Sequence, residues 1–329
     1  MTQTAFVTGA TGFVGAQLAR QLAESGWRVI ILVRPTSSLQ DLQGLELDVR
    51  QGDVVDSGSV HAAMPEQVDA VFHVAASTSI WSRERALQER INVEGTQNVL
   101  RAAKTRGARR LVHTSSFVVW GFQDHTVDET TPWTGSGDEW INYLRTKRRA
   151  EEHVKAAVAD EGLDAVICNP AHILGPGDRH NWSRMIRLVQ DQKLPGVPPG
   201  GGAFADVREV AAAHIKAFER GERGANYLLG GEDIPFLELI ALIGDLLDRP
   251  VPSAASPAWQ LMLAGRVSNF FSRFSGKAPD ITSEGAAMIS RHIQCDSGRA
   301  QAELGYRFTP VRTLLSDSIA WMRAEGLLS

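Results

Sequence analysis

Tyr143 and Lys147 stand four residues apart in a segment, Trp140 to Val158, that reads as a helix, so both project from one helical face. Upstream, an apolar run from Arg110 to Thr114 ends in Ser115 and Ser116. A phenol, an ammonium and a hydroxyl suit the reduction of a ketone. The carbonyl oxygen then needs a proton, a donor that polarises it, and a fixed position beside a hydride source. Tyrosine serves as the acid if its pKa, about 10 when unperturbed, falls toward neutral. A lysine one turn away favours the phenolate and pulls that pKa down, and it can also hold ribose hydroxyls. A serine hydroxyl at the strand end can hold the carbonyl oxygen. Ser116, Tyr143 and Lys147 are the candidate catalytic residues.

The hydride source points back to the N-terminus. Ala5-Phe6-Val7 enters a turn with Gly9, Gly12 and Gly15, and an amphipathic segment, Phe13 to Glu24, leaves it. Strand, tight turn and helix make an anion site from backbone amides and helix dipole. Gly9 permits the turn, Gly12 admits a pyrophosphate to the backbone, and Gly15 lets the helix lie close to the strand. After the second apolar run comes Arg34, where an NAD-preferring site usually has an acid. A guanidinium there pairs with a 2′-phosphate, which favours NADP(H) over NAD(H). Asp53 and Val54 follow the third run and suit the adenine amino group and ring. His73 precedes the small residues Val74, Ala75 and Ala76 and reads as a core or strand-end histidine, while the small residues let a cofactor pass close to the backbone.

These residues need a sheet to bring them together. Apolar runs at Thr4–Thr8, Arg28–Val33, Leu47–Gln51, Ala70–Ala75, Arg110–Thr114 and Ala165–Cys168 alternate with helical segments. That pattern predicts an α/β fold, a Rossmann-type doubly wound parallel sheet with ligands along the carboxyl ends of the strands. Arg83 to Gly107 reads as one long helix, with Gly95 inside it needing a packing reason. The chain has 329 residues, 43% hydrophobic and 22% charged, with a net charge of −4, which argues against nucleic acid as an obligate partner. Cys168 and Cys295 lack metal or disulfide spacing, and no metal is expected. No apolar stretch approaches a membrane span, and the N-terminus already reads as a strand, so a cytoplasmic location is expected.

With these residues in order, the chain resembles the extended short-chain dehydrogenase/reductase family. The matching pieces are Thr8 to Gly15, Gly52-Asp53, His73 to Ala76, Asn92 to Thr96, Thr114-Ser115-Ser116, Tyr143 to Lys147 and Asn169-Pro170 leading to Gly175-Pro176-Gly177. Phe204 to Ala211, Tyr227 to Gly231, Leu304-Gly305-Tyr306 and the last helix continue the likeness. The branch is that of dihydroflavonol reductases, 3β-hydroxysteroid dehydrogenases and NAD-dependent epimerase/dehydratase-type proteins. The resemblance implies Ser116 rather than Ser115 in the triad, as the third of the strand-end hydroxyls. It implies a cofactor site of Gly9, Thr11, Gly12, Phe13, Val14, Gly15, Arg34, Asp53, Val54, Ala75, Ala76, Ser77, Tyr143, Lys147, Pro170, His172 and Ile173. Thr78, Ser116, Phe117, Trp120, Tyr143 and Ala171 would face the substrate. Residues 1–170 would form the NAD(P)-binding domain, with 204–231 packing back on it, and 171–329 a smaller substrate lobe. A homodimer through the helices Arg83–Arg106 and Glu139–Ala159 is also implied.

Two departures bear on substrate. Nucleotide-sugar dehydratases carry an acidic pair beside the strand-end hydroxyl, where this chain has Phe117-Val118-Val119. Trp120-Gly121 stands where relatives often have tyrosine before the glycine. Trp81, Phe117, Trp120, Trp140 and Trp182 are expected around the pocket rim, and Pro195 to Gly202 as a mobile edge. Pro257 to Phe274 reads as an amphipathic helix docked on the substrate lobe, with an apolar lid or a membrane-contact face as the alternatives. The expected function is an NADP(H)-dependent reductase of an apolar or aromatic ketone, or the reverse alcohol oxidation. A nucleotide-sugar epimerase with tightly bound NAD, drawing on Arg184, Arg187 and Arg208, is the second reading. A non-catalytic NADP-sensing protein is the third.

Overall fold

A computed structural model describes residues 2–133, 138–275 and 277–328. In chain order the strands are β1 (Thr4–Thr8), β2 (Arg28–Val33), β3 (Leu47–Gln51), β4 (Ala70–His73), β5 (Arg110–Thr114), β6 (Ala165–Pro170), β7 (His172–Leu174), β8 (Gly201–Asp206), β9 (Asn226–Leu229), β10 (Glu232–Pro235) and β11 (His292–Ile293). The helices are α1 (Phe13–Glu24), α2 (Ser57–Ala63), α3 (Arg85–Glu89), α4 (Gly95–Thr105), α5 (Asn142–Glu161), α6 (Trp182–Gln190), α7 (Val207–Arg220), α8 (Phe236–Leu247), α9 (Ala258–Ser275), α10 (Ser283–Ile289) and α11 (Val311–Ala324).

Alternation along the strands builds the first sheet. Ala5, Val7, Val29 and Ile31 point into one core, while Phe6, Ile30 and Leu32 point into another on the opposite face. A strand apolar on both faces has to be covered on both, and helices do so. The result is a Rossmann-type α/β fold, a seven-stranded parallel sheet in the order β3-β2-β1-β4-β5-β6-β9. Strand order reverses between β1 and β4, so the loops leaving those two strands diverge and open a crevice. After β8, which belongs to a second sheet, α7 and β9 return to this one. Strand β9 pairs with β6, and Val210, Ala211 and Phe218 of α7 share a core with Leu18 and Leu22 of α1.

Ala171 is the hinge between sheets. Pro170 still pairs with Leu229 in the first sheet, while His172 pairs with Phe204 in the second. In that second sheet β8 carries β10 antiparallel, and β7 and β11 parallel. A third core, including Leu174, Ile186, Phe204, Leu239, Ile243, Leu315 and Met322, fills the space between this sheet and α6, α8 and α11.

Four local expectations are revised. Strand β4 stops at His73, because the backbone of Val74 and Ala75 turns in against Gly9. The segment after Arg83 is interrupted by a π-turn, Arg90–Glu94, ahead of Gly95. Gly95 has its packing reason in the loop after β3: a Cβ there would sit 3.0 Å from Val54 Cγ2. The glycine-rich stretch before β8 is wedged rather than a rim, with Val197 and Gly200 buried and Gly201-Gly202 inside a strand. Helix α9 is inverted: most of its large apolar residues face solvent, and it packs inward closely at Gly265, with Leu261 and Met262 half-buried.

Candidate active site

A cleft of about 560 Å3 runs along the carboxyl ends of the first sheet, over the β1/β4 crevice. Its floor is the glycine turn. Gly9 has φ +77°, and a Cβ there would lie 2.5 Å from Ala75 N. A Cβ on Gly15 would collide with the Gly9 carbonyl. Gly12 differs, because a Cβ on it would meet only Gly9 O, at 3.3 Å, and would otherwise stand in the cleft. Neighbouring protein therefore does not require glycine at position 12, whereas a ligand pressed against the backbone does. Gly12 is also the N-cap of α1 and offers no capping side chain, and the first turn of α1 holds no acid. Its amide end is left to an anion, so these residues fit a dinucleotide diphosphate.

The opposite wall comes from β5 and α5. Ser115 and Ser116 have different employment. Ser115 donates to Glu151 Oε2 at 2.6 Å, and the same carboxylate accepts from Asn169 at 2.9 Å and Asn226 at 2.7 Å and pairs with Lys155 at 2.9 Å. Ser115 is thereby tied into a buried network under the sheet edge. Ser116 caps the short turn Phe117–Trp120 and bonds the Tyr143 phenol. The Ser115→Ala variant is expected to lose about 1–3 kcal/mol of stability by leaving a buried carboxylate short of a donor. Thermal unfolding of Ser115→Ala beside Ser116→Ala checks this, since the latter loses a turn cap and one phenol contact but strands no buried carboxylate, and should be the less destabilised of the two.

Tyr143 and Lys147 both line the cleft from one face of α5. Burial raises the Tyr143 pKa above its ordinary value, and the hydrogen bond from Ser116 partly offsets that. Tyr143 is therefore a protonated phenol at neutral pH in the protein itself, rather than one already drawn down by the lysine. Lys147 is 3% exposed and donates to Thr114 O at 2.9 Å. Burial brings its pKa down to about 8, against the Glu151 carboxylate one turn on, which raises it.

The remaining polar groups brace these walls. His73 is buried, and burial holds it neutral with a pKa near 3. Its tautomer follows from its partners. The Thr96 hydroxyl is spent on Asn92 O at 2.6 Å, so His73 Nε2 donates to Thr96 and Nδ1 accepts from Thr8 at 2.8 Å. His73 thus joins β1, β4 and α4 and does not reach the cleft. Asn92, in the π-turn, bonds both the amide and the carbonyl of Ser77 and the hydroxyl of Thr146 on α5. It fixes the loop after β4 to the helix that carries Tyr143.

All but two of the residues expected at the site line this cleft. Ser77 does not, because Asn92 and Gln88 hold its backbone outside it. Trp120 does not either: it is 2% exposed in the core and donates Nε1–H to Thr131 O. Of the aromatic rim only Phe117 and Trp182 are in place. Trp81 Nε1 reaches Ser272 on α9, and Trp140 is exposed. Met288 of α10, Asn181 and Ile91 also line the cleft, and no motif announced them. His172 sits among Phe117, Trp182, Phe204 and Phe236, with ring centroids 5.3–5.6 Å away, and burial lowers its pKa to about 4.

This geometry has counterparts in known proteins. Residues 5–230 match the NAD dependent epimerase/dehydratase family. The chain belongs to that family. It is an extended short-chain dehydrogenase/reductase, with the NAD(P)-binding fold whose members are dehydrogenases and epimerases. Among similar proteins, one from Synechocystis sp. named "Putative dihydroflavonol 4-reductase" is 33% identical over 99% of this chain and 96% of its own. Sterol demethylase protein B of Methylococcus capsulatus is 32% identical over 99% and 100%. The crystal structure of gox2253 superposes with a TM-score of 0.86 at 33% identity, covering 100% of both chains. The family match covers the dinucleotide cleft and stops at Gly230, so Met288 and the α9–α10 pair lie outside it.

Proposed function

We propose that the protein is an NADP(H)-dependent oxidoreductase that reduces the ketone of an apolar or aromatic small molecule, or oxidises the corresponding alcohol. Tyr143 is the proton donor in reduction, Ser116 holds the carbonyl oxygen, and Lys147 orients the cofactor ribose and supports the phenol electrostatically. The bound nicotinamide supplies the hydride.

One observation carries this reading: the chemistry available beside Ser116. Asp53 is the only carboxylate lining the cleft among the described residues. It follows β3, four strands from β5, hence about 19 Å from Ser116 at ordinary strand spacing. Proton abstraction from carbon would need an acid or base close to the substrate. Hydride transfer needs no carboxylate there, because the Tyr143 phenol itself supplies the proton. A pouch of about 70 Å3 shares Phe117, Val118, His172 and Met288 with the cleft and adds Phe122, Ile141, Leu144 and Ile293, which supports an apolar substrate.

A nucleotide-sugar epimerase remains the second reading, favoured by the family match itself. The arginines it would draw on are engaged elsewhere. Arg184 pairs with Asp280 at 2.6 Å, Arg187 donates to Arg179 O at 3.1 Å, and Arg208 pairs with Asp206 and Asp317. Denaturing the purified protein and assaying the released nucleotide separates the two readings, because an epimerase releases stoichiometric NAD. Turnover of aryl ketones, steroids, flavonoids or β-keto esters with added NADPH supports the reductase.

NADP(H) preference rests on Arg34, which is exposed and lines the cleft at the end of β2. The Arg34→Ala variant is expected to raise the Kd for NADPH about 10- to 100-fold, the worth of a hydrogen-bonded charge pair, and to leave NADH within about twofold. Fluorescence titration with both nucleotides checks this, and equal losses would remove Arg34 from the phosphate role.

A further inference from the structure

The large residues of α9 point the wrong way for a helix held by a hydrophobic core. Trp259, Leu263, Val267, Phe270, Phe271 and Phe274 are all exposed, Trp259 at 66% and Phe274 at 77%. At 3.6 residues per turn these six fall within an arc of about 120°. The rings of Phe270, Phe271 and Phe274 touch one another, with centroids 5.3–5.7 Å apart, so the face ends in an aromatic cluster. The inward side has half-buried Leu261 and Met262 at its start and is otherwise small and polar. Gly265 lies so close to the start of α10 that a Cβ would come within 2.8 Å of Thr282 O. Asn269 donates to Ser283 Oγ at 3.2 Å, and Ser272 accepts from Trp81. The helix is fixed in place by its weak side and offers its strong side to the surroundings, which costs free energy unless something covers it.

Charge indicates what covers it. From Val251 to Pro279 the chain has no acidic residue and three cations, Arg266, Arg273 and Lys277, in a protein of net charge −4. Arg266 and Arg273 occupy positions at one edge of the apolar arc, and Lys277 follows the helix. Aromatic and aliphatic residues on one face with cations at the border suit insertion at the boundary between acyl chains and anionic headgroups. No helix among the described residues is long and apolar enough to cross a membrane, so this helix would lie on a bilayer rather than span it. A second copy on the same face would set like cations against each other across a two-fold axis.

We infer that the outer face of α9 docks the protein on an anionic lipid bilayer. This does not depend on the chemistry assigned to the cleft. It does place that cleft near lipid, because α10, on which α9 packs, contributes Met288 to the lining.

Flotation of the full chain with vesicles tests it. The protein is expected to float with vesicles containing phosphatidylglycerol and to stay behind with pure phosphatidylcholine. The double variant Phe270→Asp/Phe274→Asp is expected to lose at least about tenfold in vesicle partition, with unchanged circular dichroism and NADPH affinity. Tyr143→Phe is expected to float like the parent, so that failure of the proposed chemistry and failure of docking are read separately. Absence of flotation with the anionic vesicles overturns the inference, as does flotation unaffected by the two aspartates. A dimer in sedimentation velocity that the aspartates convert to monomer, without lipid binding by the parent, assigns the face to a second copy and overturns it too.

Discussion

Tyr143→Phe is expected to lower kcat for ketone reduction by about 10²- to 10⁴-fold, the range of a single general acid, while the Kd for NADPH stays within about twofold. Phenylalanine fills the same space on α5 and loses only the hydroxyl. That hydroxyl is the group Ser116 bonds, and burial keeps it protonated at neutral pH. Loss of the proton donor is a loss in the transition state, so kcat falls while the cofactor, held along the glycine turn and the loops of β2 and β3, is little affected. Steady-state kinetics with NADPH titration gives both numbers. Activity unchanged in the variant would remove Tyr143 from the reaction.

Lys147→Met carries the second large effect, and its signature is in the pH profile. The ammonium is buried under the cleft on the Thr114 carbonyl, and its pKa is brought down to about 8. A lysine is charged below its pKa, so the parent's kcat/KM for reduction is expected to be flat near neutral pH and to fall as pH rises through about 8. The methionine variant is expected to lose about 10²- to 10³-fold in kcat/KM, comparable to removing one preorganised charged donor, and to show no such alkaline limb. Because Glu151 raises the Lys147 pKa, Glu151→Gln is expected to move the parent's limb to lower pH. A limb that persists in Lys147→Met would assign the titration to another group.

The site was legible to the degree that its residues sit directly after strands. Gly9, Arg34, Asp53, Ala75 and Ser116 each follow a run whose apolar character marks it as a buried strand. A parallel sheet with right-handed crossovers brings those ends to one edge. Ser77 and Trp120 follow the same logic and miss, because their placement depends on partners elsewhere in the chain. Asn92 draws the backbone of Ser77 aside, and Trp120 finds the Thr131 carbonyl in the core. The choice of Ser116 over Ser115, implied at first by resemblance alone, has a physical counterpart in Glu151, which occupies Ser115. Met288 could not be read, since it reaches the cleft from a helix with no periodic tie to the sheet. The orientation of α9 could not be read either: its pattern gives one apolar face, and only tertiary contact through Gly265 decides that the face turns outward.

The most direct test follows the hydride. The protein is incubated with NADPH deuterated at the reactive nicotinamide carbon and a ketone on which it turns over, and the product is examined by mass spectrometry and NMR. One deuterium at the new carbinol carbon, with none transferred by Tyr143→Phe under the same conditions, is the predicted result. A converted substrate that carries no deuterium, from protein that releases stoichiometric NAD on denaturation, would contradict the account and place the chain among the epimerases.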